Sequence, residues 1–304
     1  MNNNTVNIPC VSRDERIGSA FNYLFNVIFQ TENIDGNVIW DFGWSSFFHP
    51  FFIAPLAIYR KNCGKNISCI NLASGLSSYF ELIRFSGMSR INDNKSLEIL
   101  LQSYEKKTYI PICEFRLTTT GDIDGMQTVI QNIIEKQSKA SSKLKMPLSY
   151  LLSELVCNIG QHSNAGSGYI FSQFNKAENC INLCIADNGI TIHGSYVKAA
   201  RYLDRIGGDE AIALRMANEG FSTKDLPDAE NRGYGISTSK KMLVDGLNGS
   251  FFMLSGNAFH RHDKNGSTFV NLPPDIVWKG TIVLMKIPLN IPDDFNYINY
   301  IAGM

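Results

Sequence analysis

The stretch "SELVCNIGQHSNAGSG" at 153–168 carries a carboxylate, an amide and an imidazole at four-residue intervals: Glu154, Asn158 and His162. Positions four apart lie on one face of a helix, so these side chains form a single polar stripe. Leu151, Leu152, Leu155 and Ile159 stand on the faces beside it. Two readings follow. The three are satisfied polar groups at a helix edge, or the stripe borders a core and opens on a pocket.

Three further groupings could carry chemistry. In "CIADNGIT" an apolar strand ends in Asp187, Asn188 and Gly189. A carboxylate backed by a glycine that lets the chain approach a flat ligand suits the amino group of a nucleobase. The same "DNG" is ordinary turn chemistry, so a hairpin or loop is the alternative. In "ENRGYGISTSKKM", Gly233 and Gly235 precede a helix, and backbone N–H groups at such a start form an anion site. In "KGTIVLMKIPL", Gly280 and Thr281 open a terminal strand.

The elements that must position these residues are legible from periodicity. Helices are expected at about 124–139 and 146–163, the second with Pro147 near its first turn, and again at 207–219 and 234–246. Strands are expected at "YIPICEFRL", "GYIFSQFN", "CINLCIAD", "SFFMLSG" and "TIVLMKIPL". Helices first and a mostly antiparallel sheet later imply an α/β sandwich. Ahead of it, a helix over 17–30, a strand in "GNVIWDFGW", a helix from Pro50, a strand in "KNISCINLAS" and a helix closed by Gly87 imply a smaller α/β layer. The polar stretch 89–108 reads as a connector, which gives two domains, 1–105 and 106–304.

Composition narrows the class. Of the 304 residues, 44% are hydrophobic and 18% charged, far from the signature of disorder. Lys plus Arg equals Asp plus Glu at 28 each, so no global basic field attracts nucleic acid or an anionic membrane. The greasiest run, "FFHPFFIAPLAIY", is too short to span a bilayer, and "MNNNTVNIPC" has no signal-peptide pattern, so a cytoplasmic location is expected. Seven cysteines without a C-x-x-C pair argue against a disulfide framework or a zinc knuckle. They are expected as buried reduced thiols.

Taken in order, the four groupings resemble the GHKL ATPase superfamily, shared by DNA gyrase, mismatch-repair ATPases, histidine kinases and anti-sigma serine kinases, over about 110–290. "ELVCNIGQHS" is similar to the asparagine box in its anti-sigma-kinase form, "DNGI" to the first glycine box, "NRGYGIS" to the second, and "GTIVLMKIP" to the closing strand. The resemblance implies a GHKL (Bergerat) fold binding ATP and Mg2+. Asn158 would ligate the metal, and Glu154 would be the base acting toward the γ-phosphate. Asp187 would accept from the adenine amino group, with Thr281 supporting it through water. Gly189, Gly233, Tyr234 and Gly235 would line the nucleotide, and His162 would cap or pack at the helix end. Thr191 and Asn231 depart from the family's glycines. The segment 207–235 has the length and glycine content of a mobile ATP lid, in which Lys224 and Arg232 are either phosphate contacts or solvated.

The N-terminal part resembles STAS domains, the anti-sigma-antagonist fold, over about 20–90. In that family an Asp-Ser pair opens a helix and the serine accepts phosphate; here the place reads His49-Pro50. The expectation is therefore a regulatory or docking module that is not a phosphoacceptor, fused to an ATP-binding domain. That domain would act as an ATPase or protein serine kinase on a protein partner. The alternative is a nucleotide-gated binding switch without significant turnover. A homodimer is compatible with either; nucleic acid and membrane are not expected partners.

Overall fold

The computed structural model describes residues 4–115, 120–139, 141–162, 166–223 and 234–301, with the side chains of 120–126, 159–162 and 234 left out. The chain divides into two compact units, Met1–Ser89 and Arg90–Met304.

The first unit runs β1 (Thr5–Asn7), α1 (Phe21–Glu32), β2 (Val38–Asp41), α2 (Pro50–Asn62), β3 (Ile67–Ile70), α3 (Ser74–Ile83). Its sheet is parallel, in the order β1-β2-β3, with Trp40 opposite both Val6 and Cys69. Parallel neighbours need a crossover, and α1 and α2 supply them. α2 is buried continuously from Pro50 to Ile58, and it starts as the sequence predicts, with Pro50 in its first turn; His49 caps it. α3 closes differently. Arg84 takes a left-handed conformation (φ 60°), Phe85 N–H donates to Phe80 O at 2.9 Å, and the Phe80 and Phe85 rings stack at 4.1 Å. That closed turn with its ring contact ends the helix before Gly87 is reached.

The second unit starts within β4 (Ser89–Ile91) and contains α4 (Asn94–Gln102), β5 (Tyr109–Phe115), α5 (Thr120–Ser138), α6 (Lys145–His162), β6 (Gly168–Asn175) and β7 (Cys180–Asp187). There follow α7 (Ile192–Ala199), α8 (Leu203–Ile206), α9 (Glu210–Asn218), α10 (Tyr234–Lys241), β8 (Ser250–Gly256), β9 (Ala258–Asp263), β10 (Gly266–Asn271), β11 (Trp278–Pro288) and α11 (Ile298–Ile301). The eight strands form one mostly antiparallel sheet, ordered β10-β9-β8-β11-β7-β6-β5-β4. Leu148, Leu151, Leu152, Leu155 and Val156 of α6 and Ile130, Ile133 and Ile134 of α5 share a core with Ile170, Ile185, Met253 and Val283 of the sheet. Each fully buried aliphatic side chain there stabilises the fold by roughly 1.5–3 kcal/mol.

Two sequence expectations change here. The stretch 89–108 is not a connector: it folds as β4 and α4, because Leu97 and Leu101 enter the core that holds Ile133 and Ile134. The unit boundary accordingly falls at Ser89/Arg90, ahead of the expected 105/106. Among the described residues no helix is long and apolar enough to cross a membrane.

Candidate functional site

Ladder register determines what stands beside Asp187. Ser255 lies opposite Thr281, Asp187 opposite Gly168, and Gly168 opposite Phe115, while the Asp187 carboxylate accepts the Thr281 N–H. Paired residues point to one face, so Ser255, Thr281, Asp187 and Phe115 form a row across the sheet, and the Phe115 ring lies over Gly168, where a Cβ would come 2.5 Å from it. Two residues further along the same strands stand Met253, Val283, Ile185 and Ile170, the floor of the helix-covered core. The row therefore lies at the edge of the face on which the helices pack.

Asp187 is 3% exposed, and burial raises its carboxyl to about 7 despite N–H donors from Gly189 (2.8 Å) and Thr281. The chain must come close here. Pairing between β11 and β8 slips between Trp278 and Thr281, and Gly280 in that bulge has φ 82°. A Cβ on Gly280 would lie 2.6 Å from Asp187 Oδ1, so no other residue fits without displacing the carboxylate. Thr191 replaces an expected glycine at no conformational cost. It has φ −69° and caps α7 by accepting the Gly194 N–H at 3.0 Å.

The second grouping sits on helices. α6 packs on both β7 and α10. The Glu154 carboxylate lies against Gly235, where a Cβ would come 2.6 Å from Glu154 Cδ. One turn earlier, the Tyr150 hydroxyl bonds to Thr238 of α10, and burial together with the Glu154 charge pushes it up to about 12. Asn158 Nδ2 is buried with no hydrogen-bond partner among the described residues. A flip of the amide exchanges Nδ2 and Oδ1, so that end can be presented as an acceptor. Among the described residues no three His, Cys, Asp or Glu gather as a metal cage.

The structure thus joins Asp187, Gly189 and Thr281 at one place and Glu154 and Gly235 at another, with α6 packed on β7. Tyr234 opens α10 by its backbone, and His162 ends α6. Gly233, Asn231, Lys224 and Arg232 lie outside the described residues. The expected lid needs correction. Its first part is α9, with Leu214 in the main core and Ala213 and Met216 packed with Tyr196 and Ile206, so 210–218 is anchored. The remainder, 224–233, is outside the described residues.

In the first unit, His49 caps α2 through Nδ1, which accepts the Phe51 N–H at 3.2 Å. An imidazole thus does the capping work at the start of α2. The aromatic run divides: Phe48, Phe51 and Phe52 are buried, while Trp44 is 67% and Phe47 45% exposed.

Sequence reasoning missed Ser255, which is 1% exposed and contacts Ile192 N, Gly280 O and Thr281 Oγ1. It also missed Tyr150 and Thr238. Only a glycine two residues before the apolar run of the last strand hinted at the bulge that brings Ser255 into place. No protein-family model matches the chain, and no curated protein matches it.

Proposed function

We propose that the unit Arg90–Met304 is a GHKL-type ATP-binding domain that hydrolyses Mg-ATP or transfers its γ-phosphate to a protein partner. The observation that carries this reading is the Asp187 row: a nearly fully buried carboxylate, approached by glycines at 168, 189 and 280, beside the Thr281 hydroxyl. A buried carboxylate without a cation is costly unless a ligand donor meets it, and an exocyclic amine is such a donor.

The residues fit both parts of the ligand. Asp187 and Thr281 would hold the adenine edge, and Asn158, with an amide end lacking a partner, would take the hard cation through oxygen. Mg-ATP supplies an electrophilic γ-phosphate when bound. Glu154, one turn from Asn158, would accept a proton from the attacking water or protein hydroxyl. Gly235 and the glycine before it would offer N–H groups to phosphate, with Tyr234 between them.

The unit Met1–Ser89 is, on the same reading, a STAS-like docking module in a cytoplasmic regulator. Its switch position carries no hydroxyl, and Trp44 and Phe47 offer surface to a partner. A binding switch without turnover is favoured by one feature, the packing of Glu154 against Gly235, which ties the carboxylate to the start of α10. Calorimetric titration of ATP with and without Mg2+, together with phosphate release, tests both readings. Binding with release supports the enzyme, binding alone supports the switch, and no binding overturns both.

A further inference from the structure

Ser255 is the most connected side chain of the row. Its Oγ lies 2.8 Å from Ile192 N, 3.1 Å from Gly280 O and 3.1 Å from Thr281 Oγ1. These partners differ in what they can do. The Ile192 N–H only donates, the Gly280 carbonyl only accepts, and a hydroxyl has one proton and two lone pairs. A carbonyl in a bulge has left the ladder, and buried carbonyls require donors. Ser255 must therefore spend its proton on Gly280, which leaves its lone pairs for Ile192 N–H and for the Thr281 hydroxyl proton. This is the one assignment that makes all three contacts bonds.

We infer that Ser255 is a positioning residue that fixes the polarity of the site. It consumes the proton of Thr281, so that Thr281 meets a ligand only as an acceptor. The inference rests on the adenine reading above and sharpens it. Ionised Asp187 is also acceptor-only, so the row presents two acceptors side by side. Such a pair selects a ring edge bearing an amine, with two N–H donors, and rejects one bearing a carbonyl at the same place. Hypoxanthine differs from adenine in that substitution, which makes inosine triphosphate the matched competitor to ATP.

The test is the ratio of ATP to inosine triphosphate affinity, measured by titration on the full chain. Wild type should prefer ATP by at least about tenfold, the worth of one net hydrogen bond. Ser255→Ala releases the Thr281 proton to donate toward the carbonyl, and the preference should narrow about tenfold, mainly through tighter inosine triphosphate binding. Thr281→Val removes the acceptor and should narrow the preference too, by weakening ATP. It also serves if Ser255→Ala does not fold. A merely structural role for Ser255 would lower the melting temperature and weaken both nucleotides alike, leaving the ratio unchanged. That result, or a preference that widens in Thr281→Val, overturns the inference while the adenine reading stands. A wild type that binds neither nucleotide overturns the adenine reading itself.

Discussion

The two ends of the proposed site are built from different material. At the Asp187 end, residues from β5, β6, β7, β8 and β11 meet through ladder register, and the Asp187 carboxylate and the Ser255 hydroxyl both have backbone partners. At the Glu154 end, residues of α6 meet α10, and Asn158 keeps a buried amide nitrogen without a partner among the described residues. A sheet row has fixed spacing and suits discrimination between flat edges. A helix stripe presents groups to something that arrives with its own charge and geometry. Selectivity and chemistry are therefore expected to be separable by mutation.

The largest break should come from the helix end. Glu154→Ala should cut phosphate release by about 10²- to 10⁴-fold and leave Mg-ATP affinity nearly unchanged. Gly235→Ala keeps the carboxylate but places a methyl where it lies, so release should fall with no change in the preference between nucleotides. If either variant alters that preference instead, the two ends are not separate.

Asp187→Asn should weaken ATP by roughly ten- to 150-fold, the loss of one charge-assisted hydrogen bond. The same variant carries a stability signature of fixed sign. Burial raises the folded carboxyl of Asp187 to about 7, well above the ordinary carboxylate value of about 4, so its contribution is fully present below about pH 4 and is lost as pH rises through 7. The full span is on the order of 4 kcal/mol. Chemical denaturation from pH 4 to 8 should show the variant gaining on wild type across this window. A constant difference would mean that the buried carboxylate carries no such penalty.

Gly280→Ala should cost about 1–3 kcal/mol in stability, from the left-handed backbone and the overlap with Asp187, and should weaken ATP as well. The smallest effect lies outside both ends. His49→Ala should lose a helix cap worth about 0.5–2 kcal/mol, with nucleotide affinity unchanged. Incubation with γ-labelled ATP should leave residues 36–60 unlabelled, and label on Ser45 or Ser46 would restore a phosphoacceptor to the first unit.

Strands β6, β7 and β8 coincide with the segments expected from sequence, because each is an apolar run of strand length bounded by turn residues. The hairpin β9–β10 was missed. Its second strand is mostly exposed, so no apolar pattern marks it, although Gly266 with φ 119° at the tip was a turn signal. α4 was hidden by its polar composition, since Leu97 and Leu101 are its only residues buried below the surface. Helical spacing singled out Glu154 and Asn158, whereas Asp187 and Thr281 stood out only through the resemblance of short motifs taken in order. Cross-strand partners were invisible, because Ser255 and Thr281 are brought together by a pairing that no local pattern encodes.

The row also governs where this chain can change length. A one-residue insertion or deletion within β7, β8 or β11 would turn Asp187, Ser255 or Thr281 to the opposite face, because side chains alternate along a strand. Such changes abolish the row at a stroke, whatever residues they add. Slack exists at the hairpin tips, around residues 176–178 between β6 and β7 and 264–265 between β9 and β10, where exposed turns absorb extra residues without shifting the ladder. Lineages of this chain should accordingly differ in length at those tips and hold the spacing from Ser250 to Gly256 and from Gly280 to Pro288 constant.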